Sequence, residues 1–564
     1  MVFNNDAGRN GAVGQVQRSP GSAEQEVSWR DVVPRTPASR LKRRGIFTLV
    51  SIILLVTIIF SALRVSMVAG GNNDQLEVRI GAQQPAQVDL RQSLPISTHL
   101  FGVNVFPKAG TSSLDHISAG FMNYTPVVIN GLQDMSIKFL RYPGGEWGEQ
   151  HVLTLGQLSD FSTLLTQTNS DGMIQAHLSG PVKDEQGNFK PLDLNTDLNV
   201  RANLAGRWVD YMNNPHSDQR KALHAHDPFH PVKLWTVGNE PDQPTLINPL
   251  TNQPYTVADY VTAFIQFSKA MHQNDPTIKV FGPELSSFYG VGAGPFDAGG
   301  HPWMDDFLKG IGSYEQANHV TLLDGISFHY FPFENAQQAP ALLMSSSNAL
   351  NYLLPPLREL IRRDLGRDVP IAITEVNTNP SQGINPSHGQ AAIWWADTLG
   401  MLLNQQVEYA AFFSASDVDS PYPLFIGNGL RETAMARVMQ LFAHVQSNQV
   451  PVAVEHTPIS MYATQDDSHQ AVSLLFVNKS PTPQLIQIRP VDQFLIVSLW
   501  PSLDVSIAGN SIVVLTLHRS STTQLSGAEA YSYIVPAKDD PTAAPLSYTV
   551  CGHKSDALAN DVPC

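Results

Sequence analysis

Eight short apolar runs alternate with helical patterns between residues 98 and 433 of the 564-residue chain. Near-continuous apolar runs of this length are typical of parallel strands that are buried on both faces of a sheet. Eight such strands, most of them followed by a helix, predict a (β/α)8 TIM barrel of the α/β class. The alternative, a doubly wound open sheet, is expected to carry a glycine-rich phosphate turn, and the sequence contains neither GxGxxG nor a P-loop. The runs are 99–106, 136–145, 173–180, 232–241, 278–286, 324–332, 370–378 and 407–417.

The pattern changes after the barrel. Short segments there alternate apolar and polar residues with a period of two, and Pro, Asn, Asp and Gly separate them. This pattern predicts an appended antiparallel β-sandwich over residues 434–520. Strand-like segments within 70–97 are expected to pair with it, because strands ahead of a barrel need a partner sheet. The tail 521–564 is assigned no element; its two cysteines, Cys551 and Cys564, are either bridged or free thiols.

The first seventy residues have the organisation of a membrane anchor. Residues 1–44 lack periodic apolar positions, which predicts a disordered cytoplasmic tail, and they carry a formal charge of +4 against −19 for the rest of the chain. The uncharged run Ile46–Leu63 predicts a transmembrane signal-anchor over 45–69, with the large domain outside the cytoplasm at the cell surface. The alternative is a cleaved signal peptide, but the run is longer than an ordinary h-region and SMVAGG is a poor cleavage site.

Composition excludes several classes of function. The strongly acidic external part would repel phosphates, so no nucleic-acid partner is expected. Neither an HExxH motif nor a cluster of His and Asp with metal-ligand spacing occurs, so neither a metal nor another cofactor is predicted. Charged residues make up only 15% of the chain, against roughly 25% in an average soluble domain, which suits an extracytoplasmic protein.

Two glutamates close buried runs on different predicted strands. Glu240 ends KLWTVGNE, the fourth run, and Glu375 ends PIAITE, the seventh. A carboxylate at the C-terminal end of a barrel strand faces the mouth where such barrels do chemistry. Two carboxylates across one pocket are the minimum equipment for cleaving a glycosidic bond. The sequence therefore predicts a carbohydrate substrate.

Several motifs in strand order carry a resemblance to a known family. They are RYPGG, GNEPD, DGISFHY and ITE, over about residues 98–420. Together they resemble retaining glycoside hydrolases of clan A, and are similar to heparanase-type β-glucuronidases, α-L-arabinofuranosidases and a cellulase/xyloglucanase family. The resemblance implies that Glu240 on the fourth strand is the acid/base and that Glu375 on the seventh is the nucleophile.

The same resemblance implies roles for neighbouring residues. Asn239 is expected to hydrogen-bond the sugar 2-hydroxyl, Tyr330 to donate to Glu375, and His329 to meet the acid/base or the sugar. Arg141 is expected to hold the nucleophile ionised, the alternative being a structural ion pair beneath the mouth. The remaining predicted sugar contacts are Asn104 and Trp147.

Other residues near the predicted mouth compete for these roles. Trp394 and Trp395 lie in a helical pattern, which favours core packing over sugar stacking. Glu146, Glu284 and Glu334 follow strands and are candidates for lining the cleft.

These predictions combine into one hypothesis of function. The chain is expected to be a membrane-anchored, extracytoplasmic retaining glycoside hydrolase that acts by double displacement through a covalent glycosyl-enzyme. Two alternatives stay open: a non-catalytic carbohydrate-binding barrel, and a transglycosylase that uses the same two glutamates.

Overall fold

The computed structural model describes most of the chain beyond residue 74. The described residues are 75–81, 85–114, 119–178, 182–183, 189–190, 197–333, 340–379, 386–418, 420–452, 458–490, 503–521 and 524–551. They belong to one unit, residues 71–564. The predicted tail 1–44, the predicted membrane segment 45–69, Glu334 and Cys564 lie outside the described residues. Within the described ranges, no helix is both long enough and apolar enough to cross a bilayer.

Three strands precede the barrel: β1 (Gln75–Ile80), β2 (Ala86–Asp89) and β3 (Leu94–Pro95). One strand then overlaps each of the eight apolar runs. These are β4 (Gly102–Asn104), β5 (Phe139–Tyr142), β6 (Asp171–Ala176), β7 (Leu234–Val237), β8 (Lys279–Leu285), β9 (Gly325–Tyr330), β10 (Ile371–Val376) and β11 (Tyr409–Phe412). Two-residue ladders join 182–183 to 189–190, 247–248 to 253–254, and 425–426 to 431–432.

The eight strands pair in parallel and close into a barrel in chain order, with β11 returning to β4. Four of these strands, β5, β7, β9 and β10, are buried at every residue, which explains why their sequences read as unbroken apolar runs. The predicted parallel barrel is therefore confirmed. Its C-terminal strand ends meet at one mouth.

Eleven α-helices are described around and after these strands. They are α1 (Pro126–Asp134), α2 (Trp147–Gln150), α3 (Leu155–Thr168), α4 (Leu198–Asn213), α5 (Asp218–Leu223), α6 (Val257–Asn274), α7 (Trp303–Asn318), α8 (Pro340–Ser346), α9 (Leu350–Leu365), α10 (His388–Asn404) and α11 (Ala434–Phe442). Capping boxes begin α3, α6 and α10, where the N-cap hydroxyl and the side chain three residues later each accept a backbone N–H. These caps set the residue at which each helix begins.

Eight further strands follow the barrel. They are β12 (Asn448–Val450), β13 (Ile459–Gln465), β14 (Ala471–Asn478), β15 (Gln484–Pro490), β16 (Leu503–Ile507), β17 (Ser511–Ser521), β18 (Gln524–Ile534) and β19 (Ser547–Cys551). A four-stranded antiparallel sheet has the order β2-β1-β15-β16, and a seven-stranded sheet has the order β19-β18-β17-β14-β13-β12-β3. Both sheets contribute side chains to one apolar cluster. The early strand β1 thus pairs with β15, with Val78 opposite Ile488.

The segment after residue 520 differs from its prediction. It was assigned no element, yet β18 and β19 extend the seven-stranded sheet there. The residues of β18 that face the core include Ala528 and Ala530, whose small side chains give a weak hydrophobic signal. Cys551, at the end of β19, is disulfide-bonded, which excludes the free-thiol alternative for that residue.

A buried ion pair joins the barrel to the seven-stranded sheet. Asp397 on α10 accepts hydrogen bonds from Lys479 Nζ at 3.1 Å, Tyr462 Oη at 2.8 Å and Ser347 Oγ at 2.7 Å. Burial opposes ionisation of Asp397, but Lys479 and these hydroxyl donors lower its pKa below the ordinary value. The contact therefore holds a charged carboxylate inside the protein.

We expect Asp397→Ala to destabilise the fold by roughly 3–5 kcal/mol, because it leaves the Lys479 ammonium buried without its partner. The matched control is Asp368→Ala, which removes an exposed carboxylate that pairs with Arg362 and should cost at most about 1 kcal/mol. Urea unfolding followed by tryptophan fluorescence measures both. Equal midpoints for the two variants would contradict this account of the interface.

Candidate active site

The two glutamates singled out by the sequence meet at the mouth of the barrel. Glu375 lies in β10, and Glu240 lies three residues beyond β7. A carboxylate oxygen of one is within 4.8 Å of a carboxylate oxygen of the other. The Glu240 side chain is 19% exposed and that of Glu375 is 4% exposed. Glu240 is therefore the carboxylate more open to solvent, and Glu375 is the more deeply buried one.

Arg141 on β5 organises the interior beneath this pair. Its Nη1 donates to Glu375 Oε1 and to Asn104 Oδ1, both at 2.8 Å. Its Nη2 donates to Glu284 Oε2 at 2.6 Å and to Asn239 Oδ1 at 2.8 Å. The guanidinium has no exposed surface. Arg141 thus supports the nucleophile candidate as the sequence predicts, but it is too deeply buried to contact a substrate.

Glu284 is a third carboxylate of this interior, and sequence reasoning assigned it only to the cleft lining. It lies in β8, has no exposed surface, and accepts from Arg141. Burial alone would raise the pKa of Glu284, but the charge of Arg141 and the His329 imidazole lower it to about 2. Its backbone has φ of 60°, and its carbonyl accepts the N–H of Glu240, itself at φ of 46°. Such left-handed backbone in non-glycine residues is strained and concentrates at functional sites.

His329 on β9 lies between the three carboxylates. Its Nδ1 is 2.9 Å from Glu240 Oε1 and 3.6 Å from Glu375 Oε2, and its Nε2 is 3.6 Å from Glu284 Oε2. Burial alone would lower the pKa of His329, yet the surrounding carboxylates raise it to about 10. The raised pKa favours the doubly protonated imidazole at neutral pH, the form in which Nδ1 donates to Glu240. The structure thus brings it to the predicted acid/base.

Burial and the neighbouring charges act on the pKa of Glu375 in opposite directions. Burial raises the pKa of Glu375, with His329 and Arg141 opposing the shift and the charge of Glu240 adding to it. The positive charges of His329 and Arg141 favour the ionised form of Glu375.

Asn239 is oriented by Arg141. Since the guanidinium donates to Oδ1, the amide nitrogen is turned the other way, and among the described residues no side chain or carbonyl accepts from it. The side chain is buried except for 3% of the residue surface. Asn239 therefore presents a fixed N–H donor beside Glu240.

The structure places two predicted site residues, Tyr330 and Trp147, away from their expected partners. Tyr330, expected to donate to Glu375, instead donates its hydroxyl to Ser346 O at 2.6 Å and stacks against Trp394. Successive residues of a strand point to opposite faces, so His329 inside the barrel forces Tyr330 outside. Trp147 is packed in the core and donates its indole N–H to Ala119 O. The predictions that Tyr330 donates to Glu375 and that Trp147 contacts sugar are therefore wrong.

Asn104 is likewise structural. Its Nδ2 donates to the carbonyls of Thr374, Ala411 and Phe412, and its Oδ1 accepts from Arg141. The residue has no exposed surface, so the prediction that it contacts sugar is wrong. It joins β4 to β10 and β11 and helps place the guanidinium. Trp394 and Trp395 are buried in the core, as their helical pattern favours.

Two polar residues of the site were missed from the sequence. Gln175 on β6 accepts from Arg141 Nη2 at 3.3 Å; its signal was a polar residue within a buried run. Asp242 accepts from both the backbone N–H and the hydroxyl of Ser286, tying the loop after β7 to the end of β8. Burial, with a further contribution from the charge of Glu240, raises the pKa of Asp242 to about 6. By contrast, the competing Glu146 is exposed.

The chemistry of the site favours proton transfer and nucleophilic attack over metal binding. Glu240, His329 and Glu375 present atoms within 4.8 Å of one another, a spacing that a metal ion also uses. However, Arg141 already donates to Glu375 at 2.8 Å, and a protonated His329 offers an N–H where a metal needs a lone pair. The positive charges of Arg141 and the doubly protonated His329 therefore disfavour a metal cation at this site.

A separate cavity of about 600 Å³ lies between α10 and the seven-stranded sheet. Its lining includes Ser387, Gln390, Lys479 and Asn510, and none of the mouth carboxylates lines it. The cavity is therefore not the site described above.

Part of the chain matches a known family of glycoside hydrolases. Residues 166–334 match the model of glycoside hydrolase family 44, a segment that contains Glu240, Glu284 and His329. No curated protein matches the chain.

Solved structures of glycosidases share the fold. A bifunctional glucanase-xylanase from a metagenome library is 13% identical, with a TM-score of 0.53 over 76% of this chain and 97% of that one. A family 44 xyloglucanase from Paenibacillus polymyxa, solved with xyloglucan, is 15% identical, with a TM-score of 0.51 over 76% and 98%. A family 51 α-L-arabinofuranosidase from Bifidobacterium longum is 14% identical, with a TM-score of 0.53 over 78% and 99%. The predicted resemblance to glycoside hydrolases is confirmed: on the family match the chain is a glycoside hydrolase, and its barrel shares the fold of the glucanase-xylanase, xyloglucanase and arabinofuranosidase structures.

Proposed function

We propose that the chain is a retaining glycoside hydrolase in which Glu375 is the nucleophile and Glu240 the acid/base. The observation that carries this proposal is the approach of their oxygens to within 4.8 Å, from the fourth and seventh strands of one barrel. Retaining enzymes place their carboxyl groups about 5–5.5 Å apart, whereas inverting enzymes need about 6.5–9.5 Å to admit a water molecule. The short separation supports double displacement.

The environments suit the two roles. In the first step Glu375 attacks the anomeric carbon, the glycosidic C–O bond breaks, and Glu240 gives its proton to the leaving oxygen. In the second step Glu240 takes a proton from water, whose oxygen displaces Glu375. Arg141 and His329 favour the ionised form of Glu375 needed for attack, and the more exposed Glu240 is reached by both the leaving group and water.

Asn239 supplies a contact that strengthens during the reaction. Its amide N–H, held toward the cleft by Arg141, is placed to donate to the sugar 2-hydroxyl. Contacts to that hydroxyl tighten as the oxocarbenium-like transition state develops.

The substrate class that the comparisons favour is a polysaccharide of the glucan or xylan type. The support is the family 44 match together with structural neighbours named as glucanase-xylanase and xyloglucanase. An α-L-arabinofuranoside is the second candidate, favoured by the family 51 neighbour.

We further propose that the hydrolase is held at the cell surface by its N-terminal segment, with the barrel outside the cytoplasm. The support is the uncharged run Ile46–Leu63 behind the basic cluster that ends at Arg44. Protease treatment of intact cells should remove the barrel and spare the first 44 residues; a barrel protected from external protease would overturn this topology.

Hydrolysis itself is tested by incubating the full-length chain with xyloglucan, other glucans, xylan and arabinofuranosides. Proton NMR of the first product should show the anomeric configuration of the substrate. Inverted product would overturn the retaining mechanism, and binding without any cleavage would favour a carbohydrate-binding barrel. Glycosyl transfer to an added sugar, in place of water, would instead identify a transglycosylase.

A further inference from the structure

Glu284 and His329 form a line of charged groups that ends at Glu240, the proposed acid/base. The Glu284 carboxylate faces His329 Nε2 at 3.6 Å, and His329 Nδ1 lies 2.9 Å from Glu240 Oε1. Neither Glu284 nor His329 has exposed side-chain surface. The imidazole is thus held between a fully buried carboxylate on one side and the partly exposed Glu240 on the other.

One atom of His329 and one of Glu284 are buried without a hydrogen-bond partner. Among the described residues, neither His329 Nε2 nor Glu284 Oε1 makes a hydrogen bond. The separation of Nε2 and Glu284 Oε2 exceeds the ordinary limit for N–H···O of about 3.2 Å by a few tenths of an ångström. Catalytic hydrogen bonds in unliganded enzymes are often long and tighten only when substrate binds.

We propose that Glu284 is a positioning residue for the acid/base: it fixes the His329 proton on Nε2, so that the second imidazole proton is shared between Nδ1 and Glu240. The proposal rests on the proposed roles of Glu240 and Glu375. When the partner of one imidazole nitrogen holds that N–H, the other nitrogen becomes the one that exchanges a proton. The shared proton then lies on His329 or on Glu240 without changing the charge of the pair.

The proton balance of the reaction closes with this assignment. In glycosylation the shared proton passes from Glu240 to the leaving oxygen, and the electron pair of the broken C–O bond goes to that oxygen. In deglycosylation water gives a proton back to the His329–Glu240 pair as its oxygen bonds to the anomeric carbon. Glu284 keeps its own charge throughout because Arg141 Nη2 donates to it at 2.6 Å.

The charged groups of the pair's partner Glu240 and of its surroundings come from four parts of the barrel. They are Arg141 on β5, Glu240 and Asp242 after β7, Glu284 on β8 and Glu375 on β10. Removing the negative charge of Glu284 withdraws a group that stabilises the proton on His329 and Glu240. The pair should therefore lose its proton at lower pH.

The test is the pH profile of kcat/KM for Glu284→Gln. We expect its alkaline limb to move down by about 1–3 pH units, the effect of one opposite charge within about 4–6 Å. The matched control is Glu149→Gln, which neutralises a buried carboxylate outside the Glu284–His329–Glu240 line that accepts from Leu178 N. The alkaline limb of the Glu149→Gln profile should coincide with that of the unchanged protein. An equal loss of activity by Glu284→Gln at every pH would mean that Glu284 is only structural and would overturn the proposal.

A second measurement uses the unchanged protein. With 15N-labelled histidine, the His329 ring signals, assigned by their loss in His329→Gln, should report a doubly protonated imidazole at pH 8. Titration near the ordinary histidine pKa of about 6.5 would overturn the proposal whether or not Glu284→Gln folds. This titration is independent of turnover, so a failure of the proposed hydrolysis remains distinguishable from a failure of the Glu284 assignment.

Discussion

Glu375→Ala is expected to abolish turnover, with a loss of about 10⁴-fold or more, at or beyond the upper end for a single group that acts in the chemical step. The variant removes the carboxylate that attacks the anomeric carbon and leaves a cavity of carboxylate size beside Arg141. Azide should enter that cavity and restore turnover, because a small anion can replace the lost nucleophile. Its attack takes one displacement instead of two, so the glycosyl azide should have the inverted configuration.

The matched control for this variant is Glu146→Ala. Glu146 is exposed on the turn after β5 and hydrogen-bonds Gln150. Its removal should change kcat/KM by less than about twofold, since surface substitutions rarely perturb the fold. Near-normal activity of Glu375→Ala would remove this residue from the nucleophile role.

Glu240→Ala is expected to lose about 10²–10⁴-fold on substrates whose leaving group is a sugar, because a poor leaving group needs the proton. Activated aryl glycosides, which leave without protonation, should form the glycosyl-enzyme at a rate much nearer to normal. Azide should then accelerate turnover and give product of retained configuration, because Glu375 has already displaced the leaving group once.

The azide products separate the two roles. Inverted product from the variant at position 375 and retained product from that at 240 is the expected pattern. The reverse pattern would exchange the assignments of Glu240 and Glu375, and equal loss on aryl and sugar leaving groups by Glu240→Ala would contradict its role as the acid.

The ends of the barrel strands could be predicted from the sequence because buried parallel strands read as apolar runs and their carboxyl ends converge. That reasoning brought Glu240 and Glu375 together from 135 residues apart. The same pattern does not tell which face of a strand each residue occupies when both faces are buried. His329 and Tyr330 illustrate the limit: adjacent on β9, they point to opposite sides, and only His329 enters the site.

Glu284 illustrates a second limit. The pairing of β8 with β9 shifts register between Pro283 and Leu285, and the positive φ at Glu284 turns the carboxylate inward. An irregularity of one residue reverses the direction of a side chain, and an apolar pattern does not record it. The strands after residue 520 were missed for another reason, since alanines on the buried face of β18 give little hydrophobic contrast.

Covalent trapping tests the central claim most directly. A 2-deoxy-2-fluoro glycoside of the sugar that the substrate survey identifies, carrying a good leaving group, should inactivate the protein by accumulating the glycosyl-enzyme. Peptide mass spectrometry is predicted to find one fluoroglycosyl group, attached to Glu375. A label on Glu240 or on another residue, or no label together with inverted product, would contradict the account.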